Sequence, residues 1–292
     1  MVNKLHPFWI YMRGICLVLV AAAAFGQTEL KRAEALYLQT EYQASLSLLR
    51  EAGPATAAVY CLEGKNYFML GDFKKATDVF EKAFAANPGN SEYAHWLGRG
   101  YGRRAETSNP LMAPHYASKA RQYFEKAVAL DANNGEALND LFDYYLEAPG
   151  FLGGGYDKAE QVAKRIAEHN EAEGHFAQAQ LADRRKQFDT AEEHLRHAME
   201  LAPRQVGRVL DLAKYLARHG RIQESEAAFD RAEQIQPNSP QVLFARAHIY
   251  IEQKRNLDKA RIMLEKYIQS RLTPDDPSRE QAEKLLRQIE GA

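Results

Sequence analysis

A motif that recurs along this chain limits its fold more than any other feature of the sequence. The clearest copy contains, in order, Tyr60, Glu63, Gly64, Tyr67, Gly71, Phe73, Ala76, Phe80, Ala83 and Pro88. The small residues allow two antiparallel helices to approach closely, and the aromatic residues fill the space between those helices and the next copy. Gly71 is suited to ending the first helix, and Pro88 stops the second. The motif therefore predicts a hairpin of two helices.

The same pattern returns in phase through most of the chain. Its later copies are marked by Trp96, Gly98, Tyr101 and Phe124; by Leu138, Tyr145 and Ala159; by Ala179, Leu195 and Pro203; by Ala213, Phe229 and Pro237; and by Ala247, Tyr250 and Leu264. Because one such hairpin cannot bury its apolar face alone, successive copies must stack on one another. Strong helix formers dominate these segments, with no run of alternating β-branched residues, so we expect an all-α protein.

The motif resembles the tetratricopeptide repeat, with Glu63 in place of the usual leucine, and Pro203 and Pro237 are separated by that repeat's period of 34 residues. The resemblance covers about residues 29–269 and implies a right-handed superhelical solenoid of about seven helix-turn-helix repeats. The solenoid is expected over 27–272, with repeats near 29–54, 57–88, 91–132, 135–168, 172–203, 206–237 and 240–271. The first repeat is degenerate, with Ser45 and Leu49 in register.

Two repeats are longer than this period. Ala76 and Ala120 are 44 residues apart, which predicts about ten extra residues between the helices of the third repeat, around 105–115. Ala120 and Ala159 are 39 residues apart, which predicts about five extra residues in the fourth repeat, at 148–155.

Residues 273–292 are expected to form a helix that caps the last repeat. Within them, one apolar stripe is formed by Ala282, Leu285, Leu286 and Ile289. The opposite face is charged, which suits a helix that covers the exposed end of a solenoid. Asp276 is the expected N-cap, with Pro277 at the first helical position.

Residues 1–26 have the layout of a secretory signal peptide. Lys4 and Arg13 precede an apolar run of eleven residues, 15–25, and Ala24-Phe25-Gly26 offers a small-residue cleavage site. The mature protein is then expected to begin near Gln27 and to be periplasmic or secreted. The alternative is a retained membrane anchor, although a membrane span needs about 20 residues. With this segment, the chain resembles exported bacterial tetratricopeptide-repeat proteins.

Composition and motifs argue against several functions. The net charge of −1 gives no reason to expect nucleic acid or an anionic membrane as partner. Gly153-Gly154-Gly155 is interpreted as a wide turn, because the lysine and strand of a phosphate-binding loop are absent. His194 and His197 have no further ligand at a zinc spacing, and no nucleophile motif is present. We therefore expect no enzyme, cofactor or metal site. Cys61 is expected to be a small buried or half-buried helix residue rather than a reactive thiol.

The resemblance implies that partners bind along the first helix of each repeat. Transferred to this sequence, that geometry predicts a groove that includes Lys65, His95, Arg99, Arg103, Asn139, Asp143 and Gln180. At related positions lie Phe68, Phe176, Lys214, Arg218, Phe244 and His248. Some family members hold carboxylate tails in a basic clamp, but that clamp is not reproduced here at Cys61, Leu62, Lys65 and Trp96.

The predicted function is that of a scaffold that binds a protein or peptide segment in the cell envelope. The alternative is a structural component of a multi-protein envelope or secretion assembly. His95, Arg99 and Arg103 follow at steps of four on one helix face, and this cationic stretch favours an acidic partner segment. Asp140 and Asp143 are alternative, internal partners for those arginines.

Overall fold

The computed structural model describes residues 27–51 and 56–290, which form 15 α-helices and one short 3-10 helix, with no strand among them. The helices are α1 (27–38), α2 (Tyr42–Glu51), α3 (Ala57–Met69), α4 (Phe73–Ala86), α5 (Ser91–Thr107), α6 (Ala113–Leu130), α7 (Gly135–Glu147), the 3-10 helix Gly150–Leu152, α8 (Tyr156–His169), α9 (Glu171–Arg184), α10 (Phe188–Leu201), α11 (Val206–Arg218), α12 (Ile222–Ile235), α13 (Pro240–Glu252), α14 (Leu257–Gln269) and α15 (Arg279–Glu290). The predicted signal peptide, residues 1–26, lies outside these ranges.

The helices from α1 to α14 follow one another as seven hairpins, and each hairpin packs on the next to form an all-α superhelical solenoid. The second helix of each hairpin contacts the first helix of the following one. In the described ranges no helix has both the length and the apolar character needed to cross a membrane.

Complementary side-chain sizes hold the two helices of a hairpin together. A Cβ atom added to Gly64 would lie 2.5 Å from the Phe80 ring, and one added to Gly98 would lie 2.6 Å from the ring of Phe124. The fourth hairpin exchanges the two sizes, because Phe142 stands at the glycine position and Ala163 at the aromatic position, both fully buried. The hairpins therefore conserve the filled volume rather than the residue type.

The degenerate first hairpin follows the same register. The Ser45 hydroxyl donates a hydrogen bond to the carbonyl of Ala33 over 2.8 Å. In the sixth hairpin, Ser225 donates in the same way to the carbonyl of Ala213, also over 2.8 Å. Both serines are fully buried and lie 12 residues after their acceptors. The predicted place of Ser45 in the repeat is thereby confirmed.

In the third hairpin, the extra residues lengthen the helices, so the prediction of about ten residues between them is wrong. Only residues 108–112 connect α5 to α6. The lengthened helices hold each other through aromatic contacts, in which the Tyr101 ring stacks against Tyr116 at 6.2 Å. Arg104 Nη2 also donates to the Tyr116 hydroxyl over 2.6 Å. These contacts stabilise helical turns that a residue count alone does not reveal.

The extra residues of the fourth hairpin do form a connection, residues 148–155, which folds back on the end of α7. Gly153 has a φ of 87° and Gly155 a φ of 152°, so the interpretation as a wide turn is confirmed. The Gly155 N–H donates to the carbonyl of Tyr145 over 2.8 Å. The Tyr144 hydroxyl donates to the carbonyl of Leu152 over 3.0 Å. These hydrogen bonds fix the connection against the inner side of the solenoid.

Helix α15 covers the end of the solenoid, with Ala282 and Ile289 buried against α14 and its neighbours. The expectation that Asp276 is its N-cap is wrong. Ser278 Oγ accepts from the Gln281 N–H at 3.2 Å, and Gln281 Oε1 accepts from the Ser278 N–H at 2.9 Å. This reciprocal pair satisfies two free amides. Asp276 instead accepts from the N–H and hydroxyl of Thr273, both at 2.9 Å.

The two ends of the solenoid meet. Arg279, at the start of α15, donates to the hydroxyl of Thr40 over 3.1 Å and to the carbonyl of Ser270 over 3.1 Å. Thr40 lies in the connection between α1 and α2, so the hydrogen bond joins the first hairpin to the last helix. The first and last turns of the superhelix are therefore within hydrogen-bond distance of each other at this point.

Candidate partner-binding groove

The first helices of the hairpins line two cavities on the inner surface. The N-terminal cavity has a volume of about 480 Å³ and lies between α5, α6, α7 and the connection 148–155. Its lining includes Phe68, Arg99, Gly102, Arg103, Glu106, Phe124, Asp140, Asp143, Glu147, Pro149 and Leu152. The C-terminal cavity, of about 280 Å³, lies between α9, α11 and α13. Its lining includes Phe176, Gln180, Asp183, Asp211, Lys214, Arg218, His248 and Glu252.

The structure brings some predicted groove residues together and separates others. Arg99, Arg103 and Asp143 line the N-terminal cavity, and Gln180 lines the C-terminal one. Lys65 and Asn139 line neither of these two cavities, although Asn139 is exposed on α7. The predicted set is therefore divided between two sites rather than forming one continuous surface.

Lys65 belongs to an ion pair between neighbouring hairpins. Its Nζ lies 2.6 Å from Glu92 Oε1 and 5.1 Å from the centre of the Trp96 ring. The side chain is half-buried between α3 and α5. Its charge is thus already balanced within the protein.

His95 does not belong to the partner surface, and its assignment to the groove is wrong. It is 1% exposed, and its Nε2 lies 2.7 Å from Oδ2 of Asp140. The step of four residues does place His95 on the same helix side as Arg99. The position of α7, however, covers His95, and the hydrogen bond to Asp140 joins the third hairpin to the fourth.

The expected cationic stretch is neutralised by neighbouring carboxylates. Arg99 Nε lies 3.5 Å from Asp140 Oδ2, and its guanidinium lies 4.5 Å from the centre of the Trp96 ring. Arg103 forms an ion pair with Glu106, one turn further along α5. The internal partner that the sequence offered for Arg99, Asp140, is the one that the structure contains.

Asp143 is different, because in the described part of the chain its carboxylate has no hydrogen bond and no ion pair. The Asp143 side chain is exposed at the cavity lining. Desolvation by the surrounding protein, together with the negative charge of Asp140 one turn away, raises the pKa of Asp143 to about 6. Asp143 is therefore a carboxylate whose charge is not balanced from within the protein.

The acids of the C-terminal cavity all have basic partners. Asp183 lies 3.6 Å from His219, Asp211 lies 3.1 Å from Lys214, and Glu252 lies 3.6 Å from His248. Arg218 lines the same cavity and is exposed, and within the described residues no carboxylate lies within 4.0 Å of it. Arg218 is thus a cation of this cavity that has no ion pair among the described residues.

The histidines that the sequence singled out meet a third one. Nδ1 of His194 lies 2.9 Å from Nδ1 of His175, whose ring stacks against His197 at 5.3 Å. Burial lowers the pKa of His194, and the neighbouring His175 adds to this effect. Across residues 27–51 and 56–290, no group of three or more His, Cys, Asp or Glu side chains is arranged to hold a metal ion.

Cys61 is buried between α3 and its neighbours, as the sequence predicts. Its burial raises the pKa of the thiol to about 12, so the reactive thiolate is disfavoured at neutral pH. It is therefore a packing residue of the solenoid wall.

Sequence reasoning missed the part of the N-terminal cavity that comes from the connection 148–155. Pro149 and Leu152 line the cavity, and Glu147 closes it at the end of α7. The sequence indicated this part of the cavity only through the place of the insertion, which directly follows the first helix of the fourth hairpin. Which way it folds is decided by its hydrogen bonds to Tyr144 and Tyr145.

Comparison with protein families supports this architecture. A tetratricopeptide-repeat profile matches residues 57–90, which hold α3 and α4, and a second tetratricopeptide-repeat profile matches residues 184–249. A comparison with curated protein sequences gave no match.

Solved structures share the fold at low identity. A tetratricopeptide-repeat protein from Parabacteroides merdae is 16% identical, with a TM-score of 0.60, over 91% of this chain and 99% of that one. A thermophilic tetratricopeptide-repeat protein from Thermus thermophilus is 20% identical, with a TM-score of 0.55, over 65% of this chain and 98% of that one. Tetratricopeptide repeats are thus present at residues 57–90 and 184–249, and the described chain shares the fold of these repeat proteins. Repeats of this family are general protein–protein interaction modules.

Proposed function

We propose that this protein is an adaptor of the cell envelope that binds a segment of another protein in its inner groove. The observation that carries the proposal is the N-terminal cavity, which combines an apolar wall with the unbalanced carboxylate of Asp143. Binding sites of this kind place a small number of polar groups in a mostly apolar concavity. We propose a scaffold rather than a catalyst, because the tetratricopeptide-repeat fold is typically a non-enzymatic scaffold.

The envelope location rests on the sequence of residues 1–26. A charged start, a short apolar run and a small-residue site favour export and cleavage near Gln27. N-terminal sequencing of the protein from its native host tests this proposal. Recovery of membrane-bound protein that begins at Met1 would instead support a retained anchor.

An acidic partner segment was expected from Arg99 and Arg103. To bind them, such a segment would have to compete with Asp140 and Glu106, which already hold them. Arg218 in the C-terminal cavity offers a cation with no such competitor. If the partner carries an acidic group, we propose that this group is bound at Arg218.

A second candidate function is that of a structural component in an envelope or secretion assembly. Two large apolar side chains outside the groove favour it, because Leu111 is 91% exposed and Phe151 is 81% exposed. Both lie where the chain departs from the regular repeat, one in each unusual connection. Burial of these two side chains against another subunit would be favourable, because it would remove their apolar surface from water.

Site-specific photo-cross-linking in the native host separates the two functions. A photoreactive amino acid replaces Ala105 in the N-terminal cavity or, as a matched control, Lys126, which is exposed on α6 and lines neither cavity. The adaptor function predicts a discrete adduct from position 105 and none from position 126. An assembly subunit would instead give adducts from positions 111 and 151 that survive changes in the groove. The absence of any adduct from position 105 would contradict the adaptor function.

A further inference from the structure

We propose that the N-terminal cavity binds a lysine or arginine side chain of the partner segment, with the Asp143 carboxylate as its acceptor. This inference rests on the proposed adaptor function and specifies the chemistry of the partner. In the N-terminal cavity, the partner is therefore proposed to carry a basic side chain rather than the acidic one that the sequence predicted.

The cavity walls suit a long basic side chain. Phe68 of α3, Phe124 of α6 and Leu152 of the connection 148–155 supply apolar surface around the opening. Lysine and arginine cover such surface with their aliphatic stems while the charged end reaches a polar group. The volume of about 480 Å³ is ample for one such side chain and the backbone on either side of it.

The charges that line the cavity leave one place for a cation. Its acids are Glu106, Asp140, Asp143 and Glu147, and its bases are Arg99 and Arg103. Asp140 is held by His95 and Arg99, and Glu106 is held by Arg103. Glu147 forms an ion pair with Arg184 of α9. Once these pairs are counted, Asp143 is the carboxylate of the cavity lining that has no ion pair.

Other ligand chemistries fit this position less well. An acidic side chain would add a third carboxylate beside Asp140 and Asp143, and like charges at such distances repel. A neutral apolar side chain would displace water from Asp143 without supplying a hydrogen bond, which costs free energy. A cation supplies both the opposite charge and the donor, so it is the class of side chain that the cavity favours.

The proposed site also predicts a pH dependence. The raised pKa of Asp143, about 6, means that its carboxylate takes up a proton when the solution becomes mildly acidic. The charged groups that line the cavity with it are Arg99, Arg103 and Glu106 of α5 and Asp140 and Glu147 of α7, and Arg184 of α9 is paired with Glu147. A bound cation requires the ionised carboxylate, so binding should weaken as the pH falls through 6.

Synthetic peptides test the proposal on the full chain. The probes are acetylated and amidated peptides Gly-Ser-Leu-X-Leu-Ser-Gly, in which X is lysine, arginine, glutamate or uncharged norleucine. Binding is followed by the NMR shifts of the backbone amides of residues 139–155. At pH 7.5 the lysine and arginine peptides should bind about tenfold more tightly than the norleucine peptide. At pH 5 this preference should be mostly lost.

Two variants test whether Asp143 is the residue that causes the preference for lysine and arginine. Asp143→Asn should remove the selectivity for lysine and arginine, whereas Asp157→Asn should retain it. Asp157 is an exposed carboxylate of the same hairpin that does not line the cavity. Equal binding of all four peptides, tightest binding of the glutamate peptide, no binding at all, or a preference that persists in Asp143→Asn would each overturn the proposal.

The cross-linking experiment distinguishes this failure from failure of the adaptor function. If position 105 still captures a partner while the peptides show no preference for lysine or arginine, the groove binds a protein but Asp143 does not bind a cation. If position 105 captures nothing, the adaptor function itself is wrong. If both proposals hold, the amount of partner captured in the cross-linking experiment should be about tenfold lower for the Asp143→Asn protein than for the unchanged chain.

Discussion

The two cavities of the groove are built from the same kind of helix but differ in their walls and charges. The C-terminal cavity lies among regular hairpins, and its acids are paired with His219, Lys214 and His248. The N-terminal cavity lies where two hairpins depart from the regular length, and its walls include the connection 148–155. It retains an unpaired carboxylate, whereas the C-terminal cavity retains an unpaired cation. The connection 148–155 therefore changes the walls of the N-terminal cavity, whereas the unpaired carboxylate comes from the first helix of a hairpin, α7.

The interiors of the two regions, in contrast, follow one rule. Phe80 in the second hairpin and Phe229 in the sixth are fully buried at equivalent positions. Each faces a small residue of the first helix, Gly64 or Ala213. The two halves thus share their core packing and differ in the surfaces of their cavities. Variants can test the packing and the cavity charges separately.

The largest effect is expected when the shared packing is broken. Phe80→Ala and Phe229→Ala should each lower the free energy of unfolding by about 3–5 kcal/mol, because each leaves a large cavity in a filled core. Since hairpins contact mainly their neighbours, hydrogen exchange should increase around the changed hairpin and little in the other half. Phe151→Ala, at an exposed position, serves as the control and should change neither quantity. Equal loss of protection along the whole chain would contradict the solenoid energetics.

A smaller effect is expected when extra volume enters the third hairpin. Gly98→Leu should destabilise the protein by about 1–3 kcal/mol, because even a Cβ atom there would lie 2.6 Å from the Phe124 ring. Thermal unfolding measures the loss. Gly207→Ala is the matched control, since no atom lies within 4 Å of a Cβ atom added there. A stability of Gly98→Leu equal to that of the control would mean that the two helices are not in close contact.

These packing positions are the part of the structure that the sequence predicts well. Size complementarity between Gly98 and Phe124 is encoded at fixed spacings, so it can be read without knowing where other hairpins lie. His95 and Arg99 could not be placed in this way, because their environment depends on where α7 brings Asp140. Asp143 lay on the predicted face, but only the full set of pairs shows that its charge is unbalanced.

The same limit applies to the irregular segments. A count of residues between Ala76 and Ala120 gives the size of an insertion but not its secondary structure, which depends on contacts such as Tyr101 with Tyr116. At the C-terminus, Asp276 and Ser278 are both residue types that cap helices. The capping role of Ser278 follows from Gln281 three residues later, which returns a second hydrogen bond. Local propensity therefore identified the helix but not its first residue.

The charges of the two regions should respond to pH in opposite ways, and the larger response is expected near the C-terminus. Burial alone would raise the pKa of Glu226, but hydrogen bonds from Arg246, Arg255 and Tyr250 lower it below its ordinary value of 4.5. The stabilisation is therefore present above pH 4.5 and is lost as the pH falls through the lowered pKa. Glu226→Gln should cost about 1–2 kcal/mol at pH 7.

Denaturant unfolding at several pH values checks this prediction. The difference between Glu226→Gln and the unchanged protein should shrink in acid, because protonation then removes the same charge. Asp258→Asn, which removes an exposed carboxylate in the first turn of α14, is the control and should show only a small difference. A difference for Glu226→Gln that stays constant down to pH 3 would show that the hydrogen bonds do not depend on its ionised form.

Asp143→Asn should have the smallest effect, and its sign should be opposite. The folded protein raises the pKa of Asp143 from 3.8 to about 6, so its ionised form opposes folding above pH 6. Removal of that charge should stabilise the protein by about 0.5–1 kcal/mol at pH 7.5, since solvent screens much of the repulsion from Asp140. The gain should be mostly lost by pH 4.5, where Asp143 of the folded protein is protonated. Denaturant unfolding at both pH values measures it, and a loss of stability at pH 7.5 would mean that Asp143 has an internal partner and is no free acceptor for a cation.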